Sequence, residues 1–281
     1  MSRGRDWAGI EVAVTLEPAA SVTFLSDKVT MRIRSIEGFK KRFGSPFFRS
    51  TNDLVVGNRA HLYLNMRFPK PIIVNQYKML NLILDAKLKQ SNILTGCLPG
   101  SPPPNAQNCY EPKRMGTQFR VAIGNITWTD SRCSKRDPAD DICRYQGSYM
   151  QASLNLFDER FEFHNGDFFI QRGNSQTETA RVAIYRIDLR DFLPSGTSQN
   201  PFHTGVRATA KGDLLAQIKK GLFLGELEGK LPPRLTKPNG LKEADDEYLS
   251  HYSIKTINLG YEVSGLSDMT FEIYKFSLST D

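Results

Sequence analysis

Tyr149-Met150-Gln151-Ala152-Ser153-Leu154-Asn155-Leu156 alternates a polar or aromatic side chain with an apolar one at every step. Successive side chains on a strand point to opposite faces. The octapeptide therefore predicts a β-strand with Met150, Ala152, Leu154 and Leu156 in a core and Tyr149, Gln151, Ser153 and Asn155 on the other face. A merely solvated face is usually rich in Lys, Glu and Thr. A neutral row of phenol, amides and hydroxyl instead suits a neutral, hydroxyl-rich ligand, to which amides hydrogen-bond and on which rings stack.

The same rhythm recurs. His61, Tyr63, Asn65 and Arg67 alternate with Leu62, Leu64, Met66 and Phe68, after which Pro69 and Pro71 are expected to stop the strand. Leu80, Leu82, Leu84, Ala86 and Leu88 alternate with Asn81, Ile83, Asp85, Lys87 and Lys89, whose charges mark a solvent face. Gln118, Arg120 and, beyond an irregular Gly124, Trp128 alternate with Phe119, Val121 and Ile123, so Trp128 is expected as an exposed stacking platform.

Further strand-like runs cover about 9–16, 20–36, 53–68, 72–90, 117–129, 147–157, 160–171, 180–190, 252–263 and 268–279, separated by Gly, Pro, Asn and Asp clusters. That succession predicts a mostly β, antiparallel β-sandwich, a single domain over 1–281. Asn165-Gly166-Asp167 predicts a hairpin turn between Phe161-Glu162-Phe163 and Phe168-Phe169-Ile170. Leu214, Leu215, Ile218 and Leu222 have helical spacing, which predicts one short amphipathic helix within 211–228, weakened by Gly221. It lies in a long insertion at about 194–250.

The chain has 281 residues, with 37 Lys and Arg against 30 Asp and Glu, a net charge of +7. This surplus suits an acidic partner but is too scattered to call for nucleic acid; Lys40-Lys41-Arg42 reads as a solvated loop. No run of about 18 apolar residues predicts a membrane span. Four cysteines fall into two local pairs, Cys97 with Cys109 and Cys133 with Cys143. Without a Cys-x-x-Cys or a neighbouring histidine, zinc is disfavoured; of three pairings, nearest-neighbour disulfides are the simplest. Disulfides point to an extracellular or periplasmic protein. The first residues, Met1-Ser2-Arg3-Gly4-Arg5-Asp6-Trp7, lack the apolar stretch of a signal peptide, so none is expected at this end.

Histidines occur at 61, 164, 203 and 251, too dispersed for a zinc motif or an obvious triad, and neither a Walker loop nor a dinucleotide fingerprint is present. Glycoside hydrolysis needs only two carboxylates across a cleft; Asp158, Glu159, Glu162 and Glu262 are candidates. The ending Ile257-Asn258-Leu259-Gly260-Tyr261-Glu262-Val263-Ser264-Gly265 and Phe271-Glu272-Ile273-Tyr274-Lys275-Phe276-Ser277-Leu278 resembles the last two strands of jelly-roll carbohydrate-binding modules and of family 12-like glycosidases. The resemblance, over about 25 residues, implies a jelly-roll sandwich and places an acid/base at Glu262; a counterpart of the family's nucleophile strand is not found. It also implies a structural calcium, for which Glu11, Glu17, Glu272 and Asp281 are the acids at hand.

Three functions follow as expectations. The first is a secreted, non-catalytic sandwich that binds polysaccharide. In it Tyr63, Tyr149 and Trp128 stack on sugar rings, His61, Asn65, Gln151 and Asn155 bond hydroxyls, and Arg67, Arg120 and Arg144 add a preference for anionic groups. The second is a self-associating coat, fibre or surface-layer subunit. The third is a hydrolase or lyase using Glu262.

Overall fold

The computed structural model describes residues 10–14, 20–34, 60–93, 96–97, 109–110, 117–158, 161–171, 182–203, 205–237, 239–263 and 267–280, with backbone alone at several, including 10–14, 61, 118 and 262. Two sheets pack face to face. The larger contains β1 (Ile10–Val14), β4 (Ala60–Ile73), β8 (Thr117–Trp128), β9 (Tyr149–Asp158), β10 (Asp167–Gln171), β11 (Val182–Ile187) and β13 (Tyr252–Val263), in the order β1-β4-β13-β8-β9-β11-β10. The smaller contains β2 (Ala20–Phe24), β3 (Val29–Arg34), β5 (Leu80–Ile93), β12 (Arg207–Asp213) and β14 (Ser267–Thr280), in the order β12-β5-β14-β3-β2. Neighbouring strands run antiparallel except β9 and β11, which are parallel. The chain is a mostly β sandwich.

The sheets meet over aromatic rings. Phe119 of β8 stacks on Phe271 of β14 with centroids 3.9 Å apart, and Tyr261 of β13 meets Phe119 edge-on at 4.9 Å. Tyr261 also donates its hydroxyl hydrogen to the carbonyl of Met31 on the opposing sheet at 3.0 Å. A fully buried phenol needs that partner, because an unmatched hydroxyl in a core costs about 1–3 kcal/mol. Around this cluster lie Leu62, Leu64, Leu82, Leu84, Val121, Ile123, Ala152 and Leu154, the apolar members of the alternating runs.

Two bulges change which side chains enter that core. On β8 the register against β9 shifts between Ile123 and Ile126, so odd positions face inward before the shift and even positions after it. A one-residue slip exchanges faces, and Trp128 ends inside, 1% exposed. It is not the surface platform expected. On β4 the strand continues through Pro69 and Pro71 instead of stopping, because the ladder to β13 is irregular there: Arg67 pairs with Thr256 and Ile72 with Ile254. A bulge is where a sheet tolerates a residue without an N–H.

Other expectations are also corrected. Asn165-Gly166 does turn the chain, with Gly166 at φ 70°, but residues 161–163 form no strand and β10 pairs with β11 instead. The stretch at 194–250 is not purely an insertion, since β12 completes the edge of the smaller sheet. It also contains two helices, α1 (Leu214–Leu227) and α2 (Asp245–Ser250). The Asp213 carboxylate caps α1 by accepting from Leu215 N and also holds Leu80 N of β5, fixing the exit from β12. Leu214, Leu215, Ile218 and Leu222 bury the apolar stripe of α1, which packs against β5, β9 and β11.

Gly221 brings the helix close: a Cβ there would sit 2.6 Å from Cδ1 of Tyr185. The glycine costs the helix some intrinsic propensity but lets it seat against Tyr185. Asn200 ties the same segment to the larger sheet by donating to the carbonyl of Leu156, the residue left over at a β8–β9 register shift. The disulfide Cys133–Cys143 closes the loop after β8. Cys97 stands opposite Cys109 in the short ladder of β6 (Gly96–Cys97) and β7 (Cys109–Tyr110), and the side chains of that second pair lie outside the described residues.

Replacing Gly221 with Ala should destabilise the fold. The gain of about 1 kcal/mol in helix propensity is outweighed by about 1–3 kcal/mol of overpacking against Tyr185, so the urea midpoint should fall. Acid should also weaken the sandwich. Burial alone would raise the Glu272 carboxyl, but hydrogen bonds from Lys28 and Tyr274 and the charges of Lys28 and Lys89 together hold it at about 2, below its ordinary 4.5. A depressed carboxyl stabilises the fold fully above about pH 4.5 and loses that contribution as pH falls toward 2. Melting temperatures across this window should drop for the wild type, and Glu272→Gln should flatten part of the slope.

Candidate functional site

The ring cluster at Phe119 and Tyr261 sends alternate residues of β4, β8, β9 and β13 to the opposite face of the larger sheet, where polar groups line up in cross-strand rows. One row runs Tyr63, Gly260, Arg120, Asn155. A second runs Asn65, Asn258, Ala122, Ser153, and a third His61, Glu262, Gln118, Asp158. The three alternating runs of sequence around 61–67, 118–120 and 149–155 thus come together on one surface.

Gly260 makes the first row continuous. A Cβ at that position would lie 1.9 Å from the Leu62 carbonyl oxygen, so no other residue fits. With no side chain rising from the central strand, Arg120 on one side reaches Tyr63 on the other, and its Nη2 donates to the Tyr63 hydroxyl at 3.2 Å. Two strand spacings, about 9.6 Å, are spanned in this way.

The network continues through neutral and ionisable groups. Arg120 Nη1 reaches Ser153 Oγ at 3.5 Å, and Ser153 donates to Asn155 Oδ1 at 2.7 Å. Asn155 Nδ2 donates to Asp158 Oδ2 at 3.2 Å and lies 3.0 Å from His164 Nε2, which is itself 3.1 Å from Asp158 Oδ2. Arg120, Ser153, Asn155, Asp158 and His164 are all buried. The polar row of β9 is therefore closed at Ser153 and Asn155 and only half-open at Gln151 and Tyr149. Burial pushes the Tyr149 phenol up from its ordinary value. Toward β4 the face opens: Tyr63, Asn65 and Asn258 are half-buried and Arg67 is exposed.

The remaining expected site residues are dispersed. Trp128 packs in the interior between Tyr145 and His251, with ring centroids at 6.1 and 5.3 Å. Arg144 is exposed in the disulfide loop, paired with Asp141 and set over the Tyr145 ring. Neither joins the rows. Exposure of Asn155 to a ligand is likewise overturned, since its amide is spent on Ser153, Asp158 and His164. His61 and Glu262 hold backbone places in the third row, and their side chains lie outside the described residues. Glu272, an expected calcium ligand, instead accepts from Lys28 Nζ at 2.8 Å and Tyr274 at 2.9 Å. Glu11, Glu17 and Asp281 lie outside the described side chains. Among the described residues no cluster of three His, Cys, Asp or Glu is set to hold a metal, and no helix is long and apolar enough to cross a membrane.

Sequence reading missed His164 and Asn258. Asn258 was legible in the alternation Ile257-Asn258-Leu259, whereas His164 reaches Asp158 through an irregular turn that no periodicity marks.

The sandwich is similar to jelly-roll glycosidases of families 11 and 12. A family 11 xylanase from Neocallimastix patriciarum matches with 8% identity, 97% of this chain and 92% of that one, and a TM-score of 0.43. Endoglucanase 3 of family 12 from Trichoderma harzianum matches with 9% identity, 98% and 99% coverage, and a TM-score of 0.43. An endoglucanase from Rhodothermus marinus matches with 10% identity, 99% and 95% coverage, and a TM-score of 0.42. At such values nothing about this chain's chemistry follows from them. No family model matches the sequence, and no curated protein does.

Asn155→Ala should cost about 1–3 kcal/mol, because it takes one hydrogen-bond partner from each of Ser153, Asp158 and His164 in a buried site. Chemical denaturation of the variant checks this, and a loss no larger than that of an exposed Asn would contradict the role given to the network.

Proposed function

We propose that the chain is a secreted, non-catalytic β-sandwich that binds polysaccharide on the polar face of its larger sheet, where that face opens at β4 and β13. The observation that carries this reading is the Arg120–Tyr63 bridge over Gly260, flanked by Asn65 and Asn258. It presents a phenol, held in place by the buried Arg120 guanidinium, and two amides side by side, which are groups that stack on and hydrogen-bond to sugars. Arg67 at the rim supplies charge for an anionic substituent. Gln151 and Tyr149 extend the surface along β9. The Cys133–Cys143 bridge favours an extracellular or periplasmic setting.

Binding is tested by affinity electrophoresis of the full chain in gels containing xylan, xyloglucan or soluble cellulose derivatives. Retardation by at least one polymer is expected. Tyr63→Ala and Asn258→Ala should each weaken it about three- to tenfold, as loss of a stacking or amide contact does. A folded chain that no polymer retards rejects the proposal.

A second reading, glycan hydrolysis, is favoured by the third row. Positions 158 and 262 stand two strands apart with Gln118 between them, about 9.6 Å across. That is near the upper end of the spacing of about 6.5–9.5 Å used for inversion at the anomeric carbon. Release of reducing ends that Glu262→Gln abolishes would favour hydrolysis, and retention on a polymer without release would favour binding alone.

A further inference from the structure

The outer face of the smaller sheet is chemically unlike the polar rows. Val29, Met31, Ile33, Leu82, Leu84, Ala86, Leu88, Ala210, Phe271 and Ile273 point into the core, so the alternate positions of β3, β5, β12 and β14 face away from it. Eight cations of the described residues mark that outer side: Lys28, Arg32, Arg34, Lys87, Lys89, Arg207, Lys211 and Lys275. The register sets Arg207 opposite Lys87, and Lys87 opposite Glu272. Lys211 follows Arg207 along β12.

Asp85 and Glu272, the acids set among these cations, sit lower than their partners, while Asp268 at the start of β14 is half-buried opposite Arg34. Asp85 is paired with Arg207 and its side chain is 17% exposed, against 54% for arginine. Glu272 binds Lys28 and Lys89 and is 6% exposed, against 60% for Lys89. The carboxylates thus hold the cationic heads of Arg207, Lys28 and Lys89 from below, and because cations outnumber acids on this face the surface presents more cation than anion to a partner. Hydroxyls are interleaved: Ser21, Thr23 and Thr209 are exposed, and Thr30 is half-buried.

From this arrangement we propose that the outer face of the smaller sheet binds an anionic polysaccharide, independently of the polar rows on the other sheet. Outward cations match sulfate or uronate groups, and the hydroxyls between them match the sugar hydroxyls. A nucleic acid is less well matched. Single strands bind by stacking on open rings, and Tyr274 of this face is covered by Arg207 with its guanidinium carbon 3.9 Å from the ring centroid. A bilayer is less well matched too, because insertion needs apolar groups. The exposed Phe24 and Leu25, at the end of β2 and in the turn to Lys28, are two side chains at one corner of the face and form no apolar stripe across it.

The experiment uses the full chain, with heparin and polygalacturonate as probes, measured by isothermal titration at two salt concentrations. Binding should be seen at low salt to at least one probe and should weaken as salt rises. Arg32→Gln/Lys87→Gln/Lys89→Gln should lower affinity about tenfold, because it removes three cations from this face. Lys135→Gln/Lys220→Gln/Lys242→Gln removes the same net charge from other surfaces and should change it less than twofold. Equal losses in the two triple variants, or no binding to either probe, overturn the proposal. Binding of a single-stranded oligonucleotide or of phosphatidylserine vesicles more tightly than of either glycan, with the same dependence on Lys87 and Lys89, overturns it in favour of that partner. Retention by neutral polymers through Tyr63 is read separately, so failure of one proposal leaves the other standing.

Discussion

Phe119, Tyr261 and Phe271 hold the two sheets together, and their packing sets the parity of three strands at once. Once Phe119 and Tyr261 are inside, Arg120, Gly260 and position 262 must face away from the core. Once Phe271 is inside, Glu272 must face the other way on the smaller sheet. Both chemically distinctive surfaces of the molecule follow from the alternation that this aromatic contact fixes.

The two surfaces satisfy their polar groups in different ways. On the larger sheet, Ser153, Asn155, Asp158 and His164 are enclosed and form a chain of short-range partners, so each group depends on the next. Such networks are stabilising only when complete, because a missing member leaves the others buried without a match. On the smaller sheet the acids lie under the cations, and the charges that remain are open to water and salt. The first arrangement favours rigid presentation of neutral donors and acceptors, and the second favours long-range attraction.

The helical segment has a physical role that its description as an insertion hides. The smaller sheet has fewer strands than the larger, so β9 and β11 would have part of their core side uncovered. α1 closes that gap, with Gly221 and Gly225 admitting Tyr185, Phe168 and Leu231 at contact distance. At the same end of the sandwich, Trp128 and His251 join the disulfide loop to the segment before β13. His251 Nε2 lies 3.1 Å from Glu243, and the Arg132 hydrogen bonds hold the nearby Asp130 carboxyl at about 2.

The sequence by itself determined the β-class, the inward set from Leu62 to Leu88, the inward side of β9 and the span of α1, since periods of 2 and 3.6 depend only on local geometry. It also brought Tyr63, Asn65, Arg120 and Gln151 to the same side of their strands. Tertiary structure decided the rest. A bulge near Gly124 turned Trp128 inward, another let β4 pass Pro69 and Pro71, and β10 took β11 as its partner in place of residues 161–163. His164 closed over Asp158 and Asn155 from a turn with no period to betray it. Alternation says which residues share a face, but the register between strands, and what then lies over that face, come from contacts between residues far apart in the chain.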